Sequence, residues 1–102
     1  MAKVLKNYKK RLLFTLHAVK QMNLPERLIS KDEIRAVIAQ KEIIEYYPND
    51  ERGASCLLAG ETKENRTIHV LCSPKRGYLL IITAYVPFPE EWQANFRIRR
   101  KR

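Results

Sequence analysis

The chain has 102 residues, 45% of them hydrophobic and 30% charged, with a formal net charge of +9. That length supports one modest core and not two, and that balance excludes a disordered chain. The charge sits at the ends: residues 1–11 hold five basic residues and no acid, residues 97–102 hold five more and no acid, and the other ten basic residues accompany all eleven acids.

Residues 1–10 read as a basic arm. Arg11 to Phe14 reads either as a short edge strand or as the start of the following helix. Thr15 suits an N-cap, with a helix to about Met22 that Asn23-Leu24-Pro25 ends, because proline disfavours helical geometry in the residue before it. Pro25 then suits the first turn of a short segment through Arg27 and Leu28. Ser30 followed by Glu33 is a capping box, predicting a helix to about Gln40 with Ile34, Val37 and Ile38 inward.

Glu42 to Tyr47 reads as a strand closed by Pro48-Asn49-Asp50 and Gly53, and Ala54 to Ala59 as a second. Arg66 to Val86 then reads as a β-hairpin about a Ser73-Pro74-Lys75-Arg76-Gly77 link. Beyond Pro87 and Pro89, Trp92 and Phe96 are spaced to pin a final helical turn ahead of a basic tail. The expected fold is therefore α+β: two N-terminal helices (15–40) on one face of a four-stranded antiparallel meander (42–86), then a C-terminal helical turn and basic tail (87–102). All of it forms a single domain.

Strand alternation sorts the hairpin's side chains. Leu80, Ile82 and Ala84 are expected on an apolar face with Ile68 and Val70. His69, Thr83 and Tyr85 are expected on a mixed face, with Glu45 and Tyr47 nearby. That face is the place to look for chemistry. His69 reads either as a hydrogen-bonded structural histidine or as a general acid or base. His17 reads as a packed helix residue or a site residue, and Tyr85 as core with its hydroxyl at the rim. Arg52, Lys75 and Arg76 lie in turns at the sheet ends, as solvated charges or together as a phosphate grip.

Cys56 and Cys72 lie in separate predicted strands without metal-ligand spacing, so no metal or other cofactor is expected. The apolar run at Leu12 to Leu16 is far too short to span a membrane, and the expected compartment is the cytoplasm. No Ser-His-Asp order or glycine-rich phosphate loop is present. The basic ends favour a polyanion such as RNA, or an acidic protein; the plain alternative is a pair of solvated tails.

A series of short blocks carries a family resemblance. It runs through Thr15, His17-Ala18, Met22, Arg27, Ile29-Ser30, Glu42 to Glu45, Tyr47-Pro48, Asp50, Arg66, Ile68 to Val70, Ile81 to Thr83, Tyr85, Trp92 and Arg99-Arg100. This resembles the DUF4258 family of small bacterial proteins, placed near the RelE/ParE-like toxins. The resemblance implies a RelE-like fold and the toxin of a toxin–antitoxin pair, similar to MqsR-type ribonucleases. Its implied partners are RNA, including ribosome-associated mRNA, and a cognate antitoxin. In a metal-independent endonuclease of that kind, His69 is expected as base or acid with Tyr85 as its partner, and Arg66 and Arg76 as phosphate stabilisers. Lys75, Arg97, Arg99, Arg100, Lys101 and Arg102 would add affinity for RNA. His17, Arg27 and Thr83 stand as secondary candidates. The alternative is a non-catalytic module of the same fold that binds nucleic acid or protein.

Overall fold

The computed structural model describes residues 11–63 and 65–101; the predicted arm at 1–10 and Arg102 lie outside the described residues. Strand β1 (Arg11–Phe14) leads into helix α1 (Leu16–Met22) and helix α2 (Lys31–Gln40). Strands β2 (Ile43–Tyr47), β3 (Ser55–Glu61), β4 (Thr67–Lys75) and β5 (Tyr78–Tyr85) follow. They form one five-stranded sheet in the order β1-β5-β4-β3-β2.

This corrects the expected four-stranded antiparallel meander. Arg11 to Phe14 is a strand, and it pairs parallel to β5 from Arg11↔Tyr78 to Phe14↔Ile81, so the sheet is mixed. The physical reason lies in Thr15. Its hydroxyl accepts from the Ala18 N–H at 3.0 Å, which starts α1, and donates to the Ile82 carbonyl at 2.8 Å. Its own N–H donates to the Ile81 carbonyl at 3.0 Å. An N-cap has extended backbone, so the helix cannot begin before it, and these bonds hold the preceding residues along β5.

The expected C-terminal helical turn is likewise corrected. Trp92 bridges Arg99 in antiparallel fashion. Gln93 N–H donates to Ile98 at 2.8 Å and Arg100 N–H to Glu91 at 2.8 Å, so residues 91–100 double back as a narrow ribbon. Phe96, with φ 57°, sits at its tip in a left-handed conformation that a right-handed helix does not allow.

The α2 capping box forms as read: Glu33 N–H donates to Ser30 Oγ, and Ser30 N–H to Glu33 Oε1, each at 3.1 Å. Ile34, Val37 and Ile38 are fully buried. They pack with Ala18 and Met22 of α1 against Cys56, Leu58, Ile68, Val70, Cys72, Ile81 and Ala84. Burying each Val, Leu, Ile or Met side chain among these stabilises the fold by about 1.5–3 kcal/mol. Gly60 lets α2 come close, since a Cβ there would stand 3.0 Å from the Val37 Cα.

The hairpin is tighter than expected, pairing Lys75 with Tyr78 around Arg76-Gly77. Ser73 and Pro74 therefore belong to β4, and Pro74 lies past the last β3 pair, where its missing N–H costs no ladder bond. The ladder pairs Leu71 with Thr83 but Cys72 with Ile81, leaving Ile82 as an extra residue. This bulge shifts the parity: Leu79 and Ile81 join Ala84 in the helix-side core, in place of Leu80 and Ile82. Thr83 and Tyr85 stay on the mixed face with His69.

Candidate functional site

The mixed face is built outward from His69, which is fully buried. Tyr85 is its direct partner across the β4–β5 ladder. The Trp92 indole meets the imidazole edge-on, with ring centroids 4.5 Å apart. His69 Nε2 lies 2.7 Å from the Phe96 carbonyl and Nδ1 lies 3.2 Å from the Tyr85 hydroxyl. A carbonyl can only accept, so Nε2 carries the proton, and Tyr85 donates to Nδ1. Both ring nitrogens are thus occupied inside the protein. Burial pulls the His69 pKa down to about 4, against the Phe96 carbonyl, which raises it. Burial also pushes Tyr85 up to about 12. The pair is neutral around pH 7.

The ribbon supplies the wall above this pair. Arg99 grips Glu45 with two bonds of 2.7 and 3.0 Å and lies over the Trp92 ring at 4.5 Å. Tyr47 donates its hydroxyl to the same carboxylate. Burial alone would raise the Glu45 pKa, but the bonds from Arg99 and Tyr47 hold it below the usual value. Arg97 pairs with Glu42 at 2.7 Å and Glu61 at 3.2 Å. These two arginines of the predicted basic tail are therefore matched by carboxylates of the sheet.

The other predicted cations are dispersed. Arg66 donates to the carbonyls of Arg27 and Leu28 at 2.6 and 3.1 Å and pairs with Glu33 at 2.8 Å. It ties the α1–α2 loop to α2 and the start of β4. Arg76 is exposed in the β4–β5 turn, at the opposite end of β4. Ten residues of extended chain separate the two by roughly 33 Å, so a single phosphate cannot touch both. Lys75 donates to the Arg52 carbonyl, Arg100 to the Pro89 carbonyl at 2.7 Å, and Lys101 is exposed.

The three secondary candidates do come together. His17, Arg27 and Thr83 line one cleft of about 290 Å³ with Gln21, Tyr85, Phe88 and Glu91. The fold makes this cleft because β1 stops at Phe14, whose partner is Ile81; beyond that point α1 and the loop after it stand beside β5. His17 is exposed, one turn of α1 before Gln21. Gln21 Oε1 accepts from Arg27 Nη1 at 2.7 Å and so aims the guanidinium. Leu28, at φ 45°, turns the chain directly after Arg27. Sequence reasoning missed Gln21, Phe88 and Glu91. The i, i+4 step from His17 to Gln21 was a usable signal, since it puts both on one helix face.

A second cavity, of about 350 Å³, adjoins the cleft and shares Thr83 and Tyr85 with it. Tyr47, Leu57, Leu71, Arg52 and Arg99 complete its lining with Asp50. Asp50 receives bonds from Arg52 and from Ser55, at 2.8 Å for the latter, and these hold its carboxyl far below the usual range. On the helix side, Cys56 and Cys72 are paired across β3 and β4 as free, buried thiols with sulfurs 3.8 Å apart. Among the described residues no group of three or more His, Cys, Asp or Glu is placed to hold a metal ion, and no helix is long and apolar enough to cross a membrane.

Compared with known proteins, residues 14–86 match the family model described as "Domain of unknown function (DUF4258)". No curated protein and no solved structure is matched. The matched span contains His17, Gln21, Arg27, Thr83 and Tyr85, whereas Glu91 and the ribbon arginines fall outside it.

Proposed function

This chain belongs to the DUF4258 family, and from that premise we propose that it is a metal-independent RNA endonuclease of the RelE/ParE-like toxin type, working in the cleft between α1 and β5. The observation that carries this reading is the cleft itself. It gathers an exposed imidazole, a guanidinium aimed by Gln21, two hydroxyls and a carboxylate around about 290 Å³. His69 was the first expectation for the reactive histidine. Its burial and its two occupied nitrogens favour a structural role, and His17 takes the reactive one.

RNA cleavage without a metal needs a base, an acid and a cation. Glu91 takes the proton from the ribose 2′-hydroxyl, and the 2′-oxygen attacks the adjacent phosphorus. Arg27 neutralises the charge that builds on the phosphoryl oxygens. The bond to the 5′-oxygen breaks, and the His17 imidazole serves as the general acid that gives that oxygen a proton, leaving a 2′,3′-cyclic phosphate and a 5′-hydroxyl. Tyr85 has committed its proton to His69, so its oxygen accepts a hydrogen bond and orients the ribose.

A toxin of this type acts in the cytoplasm and is held in check by a cognate antitoxin. The test is purified wild type against His17→Ala, on single-stranded RNA and for growth on induced expression. Wild type should cleave and arrest growth, and His17→Ala should lose at least about 100-fold in rate at equal soluble yield. Equal cleavage by the variant sinks the His17 assignment, and no cleavage or arrest by wild type sinks the enzyme reading.

A further inference from the structure

We propose that the second cavity, beyond Tyr85, is a base-binding subsite that seats the nucleobase flanking the scissile phosphate; the link to cleavage rests on the function proposed above, but binding of the base does not. Its volume of about 350 Å³ lies near the lower limit of small-molecule sites and has room for a nucleobase.

The lining has the chemistry of such a site. Leu57 and Leu71 are cross-strand partners and form an apolar floor. Tyr47 and Tyr85 present aromatic rings, and single-stranded nucleic acids bind by stacking bases on such rings beside cations that follow the backbone. The cations are Arg52 and Arg99, whose side chains are 52% and 53% exposed. Each is braced by its own carboxylate, Asp50 for Arg52 and Glu45 for Arg99. A guanidinium has five N–H donors, so both keep donors for a phosphate while their positions are set in advance.

Continuity gives the direction. Thr83 and Tyr85 line this cavity and the cleft alike, so a strand with its phosphate beside Arg27 crosses β5 and delivers the next base here. A peptide fits less well. A short, open hollow of about 350 Å³ flanked by two cations suits a planar base and a phosphate, whereas an extended peptide needs a longer groove.

Binding is measured by fluorescence anisotropy with labelled 2′-O-methyl hexanucleotides, which lack the attacking hydroxyl and cannot be cleaved. The four homopolymers are compared with copies carrying one abasic position. Wild type should bind at least one intact hexamer about 10-fold more tightly than its abasic copy. Leu71→Trp fills the hollow, and Tyr47→Ala removes a stacking ring from the exposed end of β2. Each should cut the ratio of intact to abasic affinity to about one, whatever the variant does to the affinity of the abasic copy itself. Equal losses for both probes, or none, overturn the subsite, as does a wild type that ignores the missing base. A wild type that discriminates the base but cleaves no RNA leaves the subsite standing and removes only the nuclease.

Discussion

Tyr85 and His69 face each other in the β4–β5 ladder, the tyrosine hydroxyl donating to Nδ1 at 3.2 Å while the opposite nitrogen, Nε2, donates to the ribbon at Phe96. One neutral imidazole thus joins the last strand of the sheet to the segment that covers it. The bond requires His69 to stay unprotonated, because an imidazolium would have a donor at Nδ1, where the hydroxyl needs an acceptor.

Stability should therefore fall on mild acidification. The folded His69 pKa is about 4 against an ordinary 6.5, so between those pH values the unfolded chain takes a proton that the folded chain refuses. The stabilisation is whole above pH 6.5 and is lost as pH falls toward 4, about 3 kcal/mol in full. Urea denaturation at pH 7.5 and pH 5.0 should differ by about 2 kcal/mol in wild type. In His69→Phe that difference should nearly vanish, and a variant with the wild-type slope would show that another group titrates.

The ribbon should be held by one residue more than by its charges. Trp92 is 1% exposed beneath Arg99, so Trp92→Ala should cost about 3–5 kcal/mol. Ile98, in the same ribbon, is 53% exposed, and Ile98→Ala should stay within about 0.5 kcal/mol. Arg97→Ala should cost under about 1 kcal/mol, because its partners Glu42 and Glu61 are roughly half exposed. Denaturation midpoints in the reverse order would mean that the ion pairs, and not the indole, anchor the segment.

Arg66 should act on the cleft without touching it. Its guanidinium serves two carbonyls and a partly buried carboxylate, so Arg66→Ala should destabilise by about 2–3 kcal/mol. Arg66→Lys should recover less than half of that, since an ammonium cannot reproduce the planar fork. Because one of those carbonyls belongs to Arg27, both variants should also bind the 2′-O-methyl hexamers more weakly. Unchanged binding by a destabilised but folded Arg66→Lys would separate the loop from the cleft.

Local chemistry was readable in the chain; placement across the sheet was not. Ser30 and Glu33 announce α2 because both halves of the capping box lie within four residues. Leu79 to Ile82 is apolar throughout, so it carries no mark of the bulge at Ile82 that reverses its alternation. Trp92 and Phe96 satisfy an i, i+4 spacing equally in a helical turn and in a ribbon that doubles back, and Phe96's positive φ settles which. For the site, alternation along β4 singled out His69 on the mixed face, whereas its burial is decided by what packs above the ring. That depends on Trp92 returning to the sheet from 23 residues beyond His69. Arg66 reads as a phosphate ligand by residue type; its bonds to two backbone carbonyls leave no trace in side-chain identity, and its carboxylate partner Glu33 lies 33 residues away.

The parallel seam between β1 and β5 sets an order on synthesis. Residues 11–14 emerge early, yet the strand they lie against, at residues 78–81, is among the last parts of the sheet to be translated. Until then β1 has no strand partner, and the Ile81 and Ile82 carbonyls that receive Thr15 do not exist. The α1 wall of the cleft is thus made long before the β5 wall. A ribosome-bound chain stopped short of residue 78 would carry His17 and Arg27 on the same molecule without the groove that brings them to bear on a substrate.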